Sequence, residues 1–438
     1  MSERPESPSS TASPDGPANP GSPAGPDSPE RNEDVTLDEE RRRRRARRVR
    51  AHRAAGRVLA RPGHLGTLRE RLAPLVDASI GNGTGGTAGT GANPAHAVYD
   101  LDERVDVYGN GVVAALEERV ARLLGTEAAA FFPSGTMAQQ VALRCWAGRT
   151  GNPAVALHAL SHPAVHERDA LSQVSGLRPV RLTAEPRLPT AAEVRAFPEP
   201  FGTLMLELPL RDAGFVLPTW RELTELVGAA RERDAVVHFD GARLWETTVH
   251  FGRPLAEIAD LADSVYVSFY KSLDGFGGAA LAGPASLVEE ARTWRHRYGG
   301  QIFQQFPTAL SALAGLDREL PRLPGYVAQA RLVAEALREG LAAAGVPWSR
   351  VHPERPHTHE FQVWLPYDAD VLAEAAIAQA EETGTLLFDG HWDARGPGLA
   401  VTEVGVRGEG LEWSDQDVRA AVADFVARLT GEAGARRG

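Results

Sequence analysis

Residues 264–278 read SVYVSFYKSLDGFGG, and this stretch decides the fold. An apolar run from Val265 to Phe269 delivers Lys271, and a glycine-rich turn follows at once. A strand that is apolar throughout, rather than alternating, is covered on both faces, as in a mainly parallel sheet. Ligands of such sheets bind beyond the carboxyl ends of the strands, which is where Lys271 falls. Of the 47 Lys and Arg residues, Lys271 is the only lysine. Arginine substitutes for lysine in salt bridges and on surfaces, but its guanidinium stays protonated and forms no imine. A lysine retained amid such a bias points to amine chemistry.

Working outward, HFDGAR at 238–243 closes a second apolar run, Val236 to Phe239. A carboxylate in that position could face the ring nitrogen of a pyridine cofactor and keep it protonated, the condition for an electron sink. Asp240 is the candidate. Arg243 could hold a substrate carboxylate in a bidentate pair, or serve as the ion partner of a structural acid such as Asp240 itself. Further upstream, FFPSGTMAQQ at 131–140 joins a short strand, Ala128 to Phe132, to a helix from Met137. Ser134, Gly135 and Thr136 would aim backbone N–H groups and hydroxyls at a phosphate over the helix start. Ser and Thr are equally ordinary N-caps. Ser268, three residues before the lysine, offers another hydroxyl.

After the strand Ala154 to Leu157 come Ser161-His162 and His166-Glu167. The His162 imidazole could stack on a pyridine face and act as a base near neutral pH, or be a structural loop histidine. His357, His359 and His391 invite a metal reading, which we set aside because no cysteine or carboxylate completes a tetrahedral set with them; no metal is expected.

The chain has 438 residues, 43% of them apolar, and a net charge of -11, which fits a soluble globular protein and does not favour nucleic acid. No apolar run is long enough to span a bilayer. Cys145, the one cysteine, lies in an apolar helical pattern and reads as a small buried hydrophobe; a chain without disulfides or a signal stretch is expected in the cytoplasm. Residues 1–40 form a Pro/Ser-rich tail expected to be disordered. Residues 41–100 combine an Arg-rich helical extension, ten arginines between Arg41 and Arg57, with the glycine-rich loop GNGTGGTAGTGANPAH. The arginines read either as a solvated extension or as an arm for an acidic partner. Further strands are expected at Pro179–Thr183 and Leu204–Leu208, with a helix from Thr219 to Glu232. Residues 101–315 then make a large, mainly parallel α/β domain, and residues 316–438 a smaller α+β domain.

These motifs, in this order and spacing, resemble the threonine aldolase and β-eliminating lyase group of fold-type-I pyridoxal 5'-phosphate (PLP)-dependent enzymes, a transferase-like fold. The likeness runs from about Val105 to Gly300 and more faintly to the C-terminus. It implies Lys271 as the imine-forming lysine, Asp240 as partner of the ring nitrogen, and His162 as the stacking histidine. Gly135 and Thr136 would hold the phosphate, with Arg243 near the substrate carboxylate. Tyr108 in DVYGNG looks like the tyrosine that family members lend to a neighbouring subunit, which implies a homodimer or homotetramer. The implied substrate is a small amino acid. The implied reaction is cleavage of a β-hydroxy-α-amino acid such as threonine to glycine and an aldehyde, with β-elimination or transaldol exchange as alternatives. A non-catalytic member of the fold, using its arginine arm to bind nucleic acid or a partner protein, is the rival of another class.

The sequence departs from the family's pattern in places. Glu207-Leu208-Pro209-Leu210 stands where aldolases carry Glu-Asn-Thr-His, so a second histidine near the substrate is lost. Ile302-Phe303-Gln304 replaces Met-Arg-Gln, and Leu399 replaces a substrate-binding arginine.

Overall fold

The computed structural model describes residues 29–60, 66–80 and 101–435. The tail at 1–28 and the glycine-rich loop at 81–96 lie outside the described residues. The chain forms two compact units, Met1–Arg47 and Arg48–Gly438. In the first, helix α1 (Pro29–Ala54) starts upstream of Arg41, within the segment expected as tail, and carries an exposed i,i+4 pair between Glu39 and Arg43. In the second unit, the end of α1 is not merely solvated. Ala51, Ala55 and Val58 pack with Ile377, Ala380 and Leu386, and Arg57–Val58 pairs in parallel with Thr385–Leu386.

The main sheet has strands β1 (Ala128–Phe132), β2 (Ala154–Leu157), β3 (Arg178–Arg181), β4 (Thr203–Glu207), β5 (Val236–Gly241), β6 (Ser264–Ser268) and β7 (Ala279–Gly283). Their order is β1-β7-β6-β5-β4-β2-β3. All neighbours are parallel except β7, which runs antiparallel to both β1 and β6. β4, β6 and β7 are buried at every position, as a sheet covered on both faces requires. On one face, helix α2 (Val112–Leu124) buries Val113, Leu116, Val120 and Leu124 at helical spacing and ends on Gly125 in the left-handed conformation, φ 66°. On the other, helix α3 (Gly135–Thr150) packs Ala138, Val141, Ala142 and Cys145 against Tyr266 and Leu281, so Cys145 is a core residue.

The second sheet is antiparallel throughout: β8 (Arg350–His352), β9 (Glu360–Leu365), β10 (Asp393–Gly396) and β11 (Leu399–Gly405), ordered β10-β11-β9-β8. It shares a hydrophobic core with the helices Leu323–Ala343, Ala369–Thr383 and Asp415–Ala435. The boundary expected at 315/316 falls inside the helix Phe306–Arg318. Among the described residues, no helix is long and apolar enough to cross a membrane.

Candidate active site

Parallel strands all present their carboxyl ends to one edge, and here that edge gathers the chemistry. β5 carries Asp240 next to its last residue, β4 beside it ends in Glu207, β2 leads to His162, and β6 leads through Phe269 and Tyr270 to Lys271. β1 turns through Pro133 and Ser134 into α3. One pocket is lined by Gly135, Thr136, Gln139, His162, His166, Glu167, Glu207, Arg211, Asp212, Asp240, Arg243, Tyr266, Tyr270 and Lys271. Beyond it, Arg243, Tyr270 and Lys271 also line a wide cleft of about 700 Å³ that reaches Arg71, Phe276, Glu360 and Arg407.

At the start of α3, the Ser134 side chain accepts the Met137 N–H at 3.3 Å and its carbonyl accepts the Ala138 N–H at 3.2 Å. That leaves the N–H groups of Gly135 and Thr136, which have no intrahelical partner, for an anion on the pocket side. Position 135 admits no side chain, because a Cβ there would lie 2.1 Å from the Tyr266 hydroxyl oxygen.

Asp240 and Glu207 are both buried, and burial pushes Asp240 up to about 7 and Glu207 up to about 8, the charge on Asp240 adding to the rise at Glu207. Asp240 accepts the Ala242 N–H at 3.2 Å; Glu207 accepts those of His162 at 2.6 Å and Arg211 at 3.1 Å. His238, under Asp240 on the same strand, is held neutral by burial, down to about 3, and bonds Ser264 and Gln139, each at 2.7 Å. A buried carboxylate in this state is stabilised by a cation brought against it.

Lys271 is half-buried and its amine is lowered to about 8, by burial first and then by the charges of Arg243 and Arg211. Its Nζ lies 4.9 Å from the centre of the Tyr270 ring, and its carbonyl accepts from Arg407 at 2.5 Å. A near-neutral amine, an anion cradle and a buried carboxylate meet in one pocket. Together they suit a ligand with a reactive carbonyl, a phosphate and a ring nitrogen that takes a proton.

Of the residues expected from sequence, Gly135, Thr136, His162, Asp240, Arg243 and Lys271 line the pocket. Ser134, Ser268 and Tyr108 do not. Ser134 is the N-cap of α3, and the buried Ser268 hydroxyl donates to the Ala242 carbonyl at 2.8 Å. Tyr108 is 53% exposed and packs edge-on against Phe303. Arg243 pairs through Nε with Glu360, so its structural acid is Glu360 and not Asp240. The expectation that no carboxylate joins the C-terminal histidines is overturned. Two carboxylates do reach His359, those of Glu246 and Glu360, and the three groups offer ligand atoms within 4.8 Å of one another. Glu246 comes from the short 3-10 helix Leu244–Glu246, far from His359 in sequence, which spacing cannot reveal. His357 belongs elsewhere, accepting the Leu217 N–H at 2.9 Å. Sequence reasoning missed Arg211, Asp212, Tyr266 and Arg407. Arg211-Asp212 just past the end of β4 was a readable signal; Arg407, past the end of the second sheet, was not.

A family model described as beta-eliminating lyase matches residues 87–360. Low-specificity L-threonine aldolase 1 of Arabidopsis thaliana is 30% identical over 287 residues, covering 63% of this chain and 78% of the relative. A crystallised Listeria monocytogenes EGD-E chain, assigned as an L-allo-threonine aldolase, is 31% identical with a TM-score of 0.76 and covers 87% of this chain and 99% of its own. A Sphingomonas wittichii serine palmitoyltransferase, at 19% identity and a TM-score of 0.54 over 86% of this chain and 88% of its own, shares the fold alone. The architecture is that of the fold-type-I PLP-dependent enzymes, and with more than half of its length matched the chain belongs to the beta-eliminating lyase family.

Proposed function

We propose that this chain is a PLP-dependent carbon–carbon lyase of the aldolase type, which cleaves a β-hydroxy-α-amino acid such as threonine to glycine and an aldehyde. The observation that carries the reading is Lys271, the chain's only lysine, standing with its lowered amine between the Asp240 pocket and the wide cleft. When bound, PLP supplies a carbonyl that joins the lysine amine and a ring that accepts the electron pair of the broken bond.

In this reading the N–H groups of Gly135 and Thr136 hold the phosphate. Asp240, whose charged form is destabilised by burial and would gain from a cation set beside it, would keep the ring nitrogen protonated. His162, whose Nδ1 lies 3.3 Å from Glu167, covers the ring face. Glu360 holds Arg243 through Nε and leaves its terminal nitrogens for the substrate carboxylate, with Arg407 at the cleft as a second cation in place of the arginine absent at Leu399. Tyr108 completes the site of a second copy, so the active form is at least a dimer.

The test is direct. The purified chain with PLP is offered L-threonine, L-allo-threonine and β-phenylserine while glycine and aldehyde are followed. Stoichiometric glycine and aldehyde are expected; pyruvate with ammonia, or no turnover of any of them, overturns the reading.

A further inference from the structure

We propose that the His166–Asp212 pair takes the proton from the substrate's β-hydroxyl, in place of the second histidine that this chain has exchanged for Leu210. The inference rests on the aldolase reading above. Leu210 is buried in the main core and cannot serve.

His166 sits at the end of the short helix His162–Val165, its ring centre 5.3 Å from that of His162, and lines the same pocket as Lys271. Its Nε2 lies 2.8 Å and 3.1 Å from the two oxygens of Asp212. A carboxylate only accepts, so the ring proton belongs on Nε2 and Nδ1 is left with its lone pair. Nor is the pairing accidental. The Glu207 carboxyl accepts the backbone N–H of His162 and that of Arg211, which fixes the two segments that carry His166 and Asp212 against each other. A two-way bridge between Leu210 and Val216 pins the far side of the Asp212 loop. His162 has a carboxylate partner of its own, Glu167 at 3.3 Å from Nδ1, but in the reading above its ring is committed to the face of the cofactor, which leaves His166 for the proton.

In the step, the β O–H bond breaks and its proton passes to His166 Nδ1. The oxygen's electron pair forms the aldehyde C=O bond as the Cα–Cβ bond breaks, and the pair from that bond remains with Cα. A proton then delivered to Cα, from the lysine ammonium, gives glycine, and His166 returns its own proton to solvent. Nothing is oxidised or reduced.

Two reactions separate this role from a structural one. Cleavage of L-threonine needs the β-hydroxyl base; exchange of the α-hydrogen of glycine for deuterium needs the lysine but no such base. In the holoenzyme, His166→Asn is expected to lower cleavage by about 100-fold or more while glycine exchange stays within about threefold. His166→Gln should behave alike, and Asp212→Asn should lower cleavage by about 10-fold. In the cofactor-free chain, nitrogen-15 spectra should show His166 protonated on Nε2, and Asp212→Asn should scramble that tautomer. Unimpaired cleavage in His166→Asn, equal loss of both reactions, or an Nδ1–H tautomer overturns the assignment. A wild-type chain that exchanges glycine but cleaves none of these substrates overturns the aldolase reading together with it.

Discussion

Burial, before any neighbouring charge, lowers the Lys271 amine to about 8, so a sizeable neutral fraction is present in mildly basic solution. Arginine at this position keeps the length and charge but not the nucleophile. Lys271→Arg is therefore expected to fold and to bind PLP without forming the borohydride-reducible adduct; retention of that adduct would contradict the assignment. Asp240 and Glu207 make a second residue-scale prediction. Their folded values, about 7 and about 8, lie above the ordinary carboxylate range, so the folded chain holds protons that the unfolded chain has released. Their stabilising contribution is complete below the ordinary carboxylate value and is lost as pH rises through about 7 to 8. The cofactor-free chain should thus melt at a falling temperature from about pH 5 to about pH 8, with a shallower fall in Asp240→Asn. A flat profile in the parent chain would remove the argument that this pocket is built around a bound cation.

The start of α3 is where sequence and packing meet most tightly. Gly135→Ala puts a methyl group 2.1 Å from the Tyr266 hydroxyl oxygen and 2.9 Å from its Cζ, a clash between a helix and a central strand. Overpacking of this kind costs about 1–3 kcal/mol and would displace the N–H groups offered to a phosphate. Gly135→Ala should lose stability and weaken PLP binding, while Tyr266→Phe, removing the nearer atom, should restore part of both. Equal PLP affinity in Gly135→Ala and the parent would count against this cradle. Elements of this kind were readable because a single local signal specifies them. The PSGT turn, the strands Ala128–Phe132 and Ala154–Leu157, and the approach to Lys271 each show an apolar run ending in glycine, serine or a polar residue. β7 was not readable, since AALAG between a glycine-rich turn and Pro284 has no periodicity and its antiparallel place between β1 and β6 is set by tertiary pairing. The same limit hid the Glu360 partner of Arg243 and the Asp212 partner of His166, which join segments 117 and 46 residues apart.

At the scale of the whole molecule, the segment around Tyr108 raises the question of a second copy. Asp106 accepts the N–H groups of Gln305 at 3.0 Å and Phe306 at 2.8 Å, and Tyr108 N–H donates to the Phe303 carbonyl at 2.9 Å. Two loops thus hold each other firmly while leaving Val105, Val107, Tyr108, Ile302 and Phe303 exposed to solvent, with Tyr108 kept at a positive φ of 54°. A rigid, strained loop displaying apolar side chains suits an interface between copies, and it explains why Tyr108 lies outside the pocket of its own chain. If Tyr108 serves the partner's site, Tyr108→Phe and Lys271→Arg damage complementary halves of each active centre. Neither variant alone should turn over substrate at more than a small fraction of the parent rate. Mixed one to one and allowed to exchange subunits, half of the dimers become hybrid, and each hybrid holds one undamaged centre, so activity should recover to about a quarter of the parent value. Mixtures no more active than the separate variants, under conditions where exchange is shown by mass, would place Tyr108 in the site of its own chain or in none.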